Sequence, residues 1–373
     1  MRTVDGTAAQ LTSPDTRIAR SWARCARAYH LAPQHQCAPT VIAAGDLRER
    51  VQRHDELIGV ASAEIDLLYE QIAGSGYALL LTDESGIILC QRVDPTLGRL
   101  FRGAGLLPGA DWSERSEGTN GIGTCLAELR SVTVHRDEHF KSNHIGLSCS
   151  GALIRDPLDQ VVAVLDASTV GAHDTRASQA HTMALVNLSA LAIEKCLFMQ
   201  RHRRHLVLRF HWRPEFVNLV NDGAIALDAD GIVVAADRSA LALLGVRSRA
   251  ELVGHDIEQL LSVRLDHLKS SSCHADATLW SARAHGDGHR YYVMVQPSAS
   301  SRPFRQLIGF SRSTAPAAGQ RSDADGEYAR VVGVIERCRW NMSRAAAELK
   351  LSRSTLYRRL RQLGIPKPHP RRS

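Results

Sequence analysis

Apolar residues in this chain change their period several times, and each change marks an element. Ile18, Trp22, Cys25, Ala26 and Tyr29 recur at helical spacing and predict a first amphipathic helix. A longer helix is expected from about Asp46 to Ile72, with Leu47, Val51, Ile58, Ile65, Leu68 and Ile72 turned inward. The period then shortens. Apolar runs at 77–82 and 87–92 flank an Asp-Glu-Ser-Gly turn and read as a hairpin. Runs at 132–135, 152–155 and 161–166 supply further strands, the last two joined by an Asp-Pro-Leu-Asp turn. A helix from roughly Asp174 to Arg204 follows, and its Arg-rich end through His211 reads as an extension of it. Helices around an antiparallel sheet that needs cover on one face give an α+β domain over 51–205, after a helical segment at 1–50.

A second, shorter module is expected over 213–312. It has strands near 224–228 and 232–236, a helix through Leu244, and later strands at 291–297 and 306–311. A stretch at 313–326, poor in large apolar residues, reads as a linker. Beyond it the helical period returns three times between Glu327 and Gly364. Tyr328, Val331, Val332, Ile335 and Cys338 stripe one helix. Met342, Ala345, Ala346 and Leu349 stripe a second that Asn341 caps, and Leu356, Leu360 and Leu363 stripe a third that Ser352 caps. Arg353, Ser354, Tyr357, Arg358 and Arg361 fall on the outer face of the third. This is a helix-turn-helix with a basic recognition helix, followed by a basic tail at 366–373.

Charge supports that reading independently. Residues 327–373 hold twelve Lys or Arg against three Asp or Glu, whereas the whole chain is only +7. Basic character is therefore confined to one small module, the footprint that binding to phosphates requires. DNA is the expected partner.

The Asn341–Leu349 and Ser352–Leu360 segments resemble the Fis-type helix-turn-helix that closes many bacterial sigma-54 activators. The resemblance implies that Arg353 and Arg358 reach base edges, while Asn341, Ser343, Arg344, Thr355 and Arg359 hold phosphates. Ser354 and Tyr357 flank the readers. Lys350 stands where the family usually has a turn glycine, which costs about 1 kcal/mol if that backbone is left-handed and adds a cation near the phosphates. The pattern Trp112–Glu128 with His139-Phe140, the segment Cys149–Pro157 and the run Val164–Ser168 resemble the GAF domain of acetoin catabolism regulators. Ser21–Cys25 and Leu208–Phe216 belong to the same resemblance, which implies a domain that senses a small molecule. The segment Asp222–Gly245 resembles a PAS domain, with Asp237 where that family usually has Asn. PAS pockets hold haem or flavin in some proteins, but no cofactor signature is found here. The expected class is thus α+β multidomain: a GAF domain, a PAS-like domain and a three-helix Fis-type module.

Relatives carry an AAA+ ATPase between sensor and helix-turn-helix. Neither GxxxxGK[ST] nor a GAFTGA loop occurs in this sequence, so no ATP-driven remodelling is expected from it.

At 373 residues and 44% apolar content the chain has material for several cores. No 18-residue apolar run and no apolar signal region at the start point to the cytoplasm, with no membrane partner. The eight cysteines form no CxxC pair and read mostly as small core side chains. The 118–124 glycines do not satisfy GxGxxG, and no Lys follows for a P-loop. They read instead as a tight loop presenting Thr119, Asn120 and Thr124 towards the sheet, where the three would bond a small polar effector or merely cap the next helix. Trp112, His139 and Cys149 complete the candidate effector set. His135, His139 and His144 with Cys125 and Cys149 invite a metal reading, but no ligand spacing completes a recognised site.

The leading expectation is a DNA-binding regulator, a homodimer on an inverted repeat, whose binding answers to an unknown effector and which requires no cofactor. Its route to transcription would be repression, contact with RNA polymerase, or partnership with an AAA+ sigma-54 activator in mixed oligomers. A redox- or metal-responsive regulator is the variant on this theme. A signalling enzyme finds no catalytic constellation.

Overall fold

A computed structural model describes residues 16–34, 38–72, 74–170, 174–272, 279–284 and 288–296, together with Leu349. The described elements up to residue 296 lie in one compact unit, Met1–Pro303, and Phe304–Ser373 form another. The helix-turn-helix, its linker and the strand expected at 306–311 lie outside the described residues.

The first helix, α1 (Thr16–Arg27), buries Ile18, Ser21 and Cys25 at helical spacing. The single long helix expected next is two. α2 (Ala44–Arg53) and α3 (Asp55–Gln71) are separated by His54, whose backbone (φ −100°, ψ 19°) leaves the helical basin. Asp55 and Glu56 then occupy the new first turn, where carboxylates favour the helix dipole. α2 buries none of its residues, so Leu47 and Val51 are not core positions, whereas α3 buries Leu57, Ala61, Ile65 and Leu68.

β1 (Tyr77–Asp83) and β2 (Ile88–Arg92) form the expected hairpin. α4 (Gly98–Gly103), α5 (Glu114–Glu117) and α6 (Gly121–Glu128) follow, then β3 (Val132–His135), β4 (Ser148–Arg155) and β5 (Val161–Thr169). The five strands form an antiparallel sheet in the order β2-β1-β5-β4-β3. Both of its faces are covered, not one. Leu79, Leu81, Ala152, Ile154, Ala163 and Leu165 pack under α3 and the long α7 (Arg176–Arg201). Leu80, Cys149, Leu153 and Val164 pack under Phe101, Trp112, Ile122 and Leu147. All seven residues of β1 are buried, as a strand between two layers must be.

α7 is the one helix among the described residues long and apolar enough to cross a membrane. Val186, Ala190, Ile193 and Leu197 place it in the core of this sheet instead.

The Arg-rich run after α7 is not a helix extension. Leu206–His211 is β6, the middle strand of a second antiparallel sheet ordered β8-β7-β6-β10-β9. Val207, Leu208 and Phe210 alternate between two apolar layers, and Arg209 is buried because Asp222 neutralises it. The second sheet therefore starts upstream of the expected residue 213. It continues through β7 (Gly223–Leu227), β8 (Val233–Ala236), α8 (Arg238–Leu244), α9 (Ile257–Leu260) and α10 (Leu265–Ser272), then β9 (Leu279–Arg283) and β10 (Arg290–Gln296). One face packs on Ile257 and Leu261; the other packs on Phe198, from the end of α7.

Candidate functional site

The glycine-rich loop around α6 is held by close approach, not by phosphate chemistry. Asn120 accepts hydrogen bonds at Oδ1 from the N–H groups of Ile122 (2.9 Å) and Gly123 (2.8 Å). Its amide donates to the carbonyls of Trp112 (3.0 Å) and Gly118 (2.8 Å). These are an N-cap and two loop ties, so the side chain's hydrogen-bonding capacity is spent on shape. Gly118 has φ +69°, and a Cβ there would lie 2.7 Å from that of Phe140. A Cβ on Gly121 would meet Asp166 Oδ1 and the Cβ of Cys149 at 2.6 Å, and one on Gly151 would meet the carbonyl of Gly121 at 2.4 Å. The start of α6 thus rests directly on strands β4 and β5.

That contact turns two threonines away from the sheet, correcting the expectation that they face it. Thr119 and Thr124 point to α1, where the Ser21 hydroxyl lies 2.7 Å and 3.1 Å from their hydroxyls. Ser21 donates to Glu114 (2.6 Å), and Arg24 grips the same carboxylate with Nε and Nη2 at 2.7 and 2.8 Å. A buried carboxylate in a two-point guanidinium clamp is a strong neutral unit. These bonds tie α1, from the N-terminal helical segment, to α5 and α6.

On the sheet side lies a second polar chain. His139 donates from Nδ1 to the Arg136 carbonyl (2.9 Å), which leaves Nε2, 3.4 Å from Cys149 Sγ, as the acceptor of the thiol proton. Burial drives the His139 pKa down to about 3 and pushes the Cys149 thiol up, so ring and thiol are both neutral at physiological pH. The Ser168 hydroxyl lies 3.1 Å from the same sulfur and 2.5 Å from Asp166 Oδ2. Asp166 is fully buried, and burial pushes its pKa up to about 7. Its Oδ1 has no hydrogen-bond partner among the described residues.

Next to this chain, Glu117 accepts from Lys141 Nζ (3.0 Å) and His144 Nε2 (2.6 Å), all three side chains being buried. The His144 ring lies 4.9 Å from that of Trp112, whose Nε1 donates to the Gly105 carbonyl (2.9 Å). His144 Nδ1 also lacks a hydrogen-bond partner among the described residues.

The six candidate effector residues are therefore all buried around α6, but with separate duties. Asn120 and Trp112 shape the loop, Thr119 and Thr124 bind α1, and His139 and Cys149 meet each other. Reading the sequence passes over Asp166, Ser168, Glu117 and Lys141 as site residues and singles out His144 only as a metal candidate. A carboxylate inside the apolar run Val161–Ala167 was the available signal for the first of these.

The metal candidates do not converge. His135 turns to Ser148 and Asp174, and His144 to Glu117. His54, Asp83 and Glu84 do offer ligand atoms within 4.8 Å of one another. However, Arg50 already neutralises Asp83, whose Oδ1 accepts from Ser85 and Ile87. The expected DNA contacts (Asn341, Ser343, Arg344, Lys350, Arg353, Ser354, Thr355, Tyr357, Arg358 and Arg359) lie outside the described residues.

Residues 325–363, which include all ten of those, match the family described as bacterial regulatory protein, Fis family. Residues 5–192 match the MimR N-terminal domain. The chain is 34% identical over 258 residues to the acetoin catabolism regulatory protein of Cupriavidus necator, an alignment covering 68% of this chain and 39% of that protein. It is 28% identical over 195 residues to the acetoin dehydrogenase operon transcriptional activator of Bacillus subtilis, covering 52% of this chain and 31% of the relative. The chain thus spans well under half the length of these relatives. The crystal structure of the E. coli DhaR(N)–DhaL complex aligns with 75% of this chain and 99% of that one, at 15% identity and a TM-score of 0.46. The family match over half of its length makes the chain a member of the MimR N-terminal-domain family, with a Fis-family match at its far end.

Proposed function

We propose that this chain is a cytoplasmic, sequence-specific DNA-binding regulator whose affinity for its operator is set by a small polar molecule held in the first sheet domain, read here as GAF-type. The observation that carries the sensor half is the pair of unmatched polar atoms, Asp166 Oδ1 and His144 Nδ1, buried in the layer that also holds Trp112, His139 and Cys149. A buried polar atom left without a partner costs about 1–3 kcal/mol, so a polar ligand that hydrogen-bonds both gains that much over an apolar one. Asn120, Thr119 and Thr124 hold the walls of the site.

The DNA half rests on the Fis-family match and the concentrated positive charge. Arg353 and Arg358 read bases, and Asn341, Ser343, Arg344, Lys350, Thr355 and Arg359 hold the backbone, in a homodimer that spans an inverted repeat. Without an ATPase motif in the sequence, regulation proceeds by repression, by direct contact with polymerase, or beside a full-length relative in mixed oligomers.

The test begins with genome-wide mapping of sites bound by the full chain. Fluorescence anisotropy then compares the best site with a shuffled duplex, with and without acetoin, the metabolite named in two relatives, as first probe. Specific binding that shifts with the probe, or with another small molecule coded beside the bound sites, supports the reading. Equal weak binding to every duplex sinks it.

A further inference from the structure

The two sheets share more than a connecting helix. α7 covers the first sheet with Val186, Ala190, Ile193 and Leu197, then covers the second with Phe198, which packs on Val207, Ala224, Ala226 and Ala235. Between those two apolar patches sits Lys195, only 7% exposed. Its ammonium group has three donors and meets three acceptors: the Asp222 carbonyl, Asp222 Oδ1 at 3.1 Å, and Asp237 Oδ2. Arg209 closes the set by clasping Asp222 with Nε and Nη2 at distances from 2.7 to 2.9 Å. Two cations and two carboxylates thus form a buried, electrically neutral cluster, three of whose members belong to the second sheet and one to the helix of the first.

Alongside it Glu194 accepts from the Arg155 N–H at the end of β4 (2.9 Å) and from Arg238 Nη2 at the start of α8 (2.7 Å). An Asn would cap α8 equally well through the bond that Asp237 Oδ1 accepts from the Ala240 N–H (2.7 Å). The extra negative charge serves only Lys195.

We propose that the Lys195–Asp222–Asp237 cluster is a coupling joint. It locks the second sheet onto α7 so that the two sheets open as one cooperative body, and any displacement of α7 by events at the first sheet is carried into the second. Removing Lys195 leaves two buried carboxylates facing one guanidinium, the configuration in which a buried ion pair is most costly to break.

Hydrogen exchange of the full chain, resolved by peptide, tests this. In the parent, the slowest amides of β1 and β5 and those of β6 and β7 exchange at one common rate, since both wait on the same opening. Lys195→Met and Asp237→Asn, the second of which keeps the helix cap, each speed β6 and β7 about a hundredfold while β1 and β5 stay as they were. Ser189→Ala, on the face of α7 that meets Glu64 of α3, leaves the two rates equal. The joint is refuted if the parent sheets already exchange at different rates. It is equally refuted if both substitutions leave the two sheets matched, whether unchanged or accelerated together.

Discussion

At the residue scale, the glycines around α6 are set by what a methyl group would strike. Gly121 faces Asp166 and Cys149, and Gly151 faces the carbonyl of Gly121, all below 3 Å from a built Cβ. Gly121→Ala and Gly151→Ala should each cost about 1–3 kcal/mol through overpacking, read as a lower urea midpoint at unchanged slope. Gly59, inside α3 with nothing near it, is the counter-case, and Gly59→Ala should add about 0.5–1 kcal/mol. The same neighbourhood sets a pH dependence. Asp166, raised to about 7, favours the folded state when protonated, a contribution fully present below the unfolded pKa near 4 and lost as pH rises through 7. His139, lowered to about 3, works the other way, its contribution holding above the unfolded pKa near 6.5 and fading as pH falls. The two oppose each other between roughly pH 4 and 6.5 and flatten the profile there. Asp166→Asn removes one of them, so the variant should gain on the parent at pH 8 relative to pH 5, and its own stability should drop more steeply on acidification. Parallel stability curves for parent and variant would refute this assignment.

At the scale of elements, the recognition helix yields two separable expectations. Arg353→Ala should cost about 1–3 kcal/mol of operator affinity and relax base preference at one position. Arg359→Ala should weaken binding to all duplexes alike and make the salt dependence shallower. Anisotropy titrations across salt concentrations against specific and shuffled DNA distinguish the two. Much of the element order was legible in advance, because the chain's period changes cleanly at Tyr77, Val132 and Arg176. Three readings failed for identifiable reasons. The continuous apolar stripe of 46–72 hid the break at His54, which has no Gly or Pro to announce it. The cover on both faces of the first sheet follows from side chains of α4–α6, elements too short for a periodic signal. β6 was obscured because its buried Arg209 looks like a surface charge until Asp222 is seen beside it. The site was legible by position more than by role. The loop at 118–124 drew notice for its polar groups, yet its hydroxyls serve α1. Asp166 and His144 carry the unmatched polar atoms, which neither the Val164–Ser168 pattern nor the metal reading of His144 announces.

At the scale of the molecule, the proposed regulator has no GxxxxGK[ST] motif in its sequence and should show no nucleotide turnover. Phosphate release from ATP by the purified chain, with and without operator DNA, is expected to stay at background, and operator affinity should not change on adding ATP. A steady ATPase rate in homogeneous protein would overturn the proposed mode of regulation. The electrostatics of the end of α7 reach beyond any single copy of this sequence. A lysine there and the Asp237 carboxylate that caps α8 are each a liability alone and harmless together, so the two should be inherited as a pair. Lineages that carry Asn at the position of Asp237 should have replaced Lys195 with an uncharged side chain, and in those descendants the tandem sensors are free to drift apart in orientation.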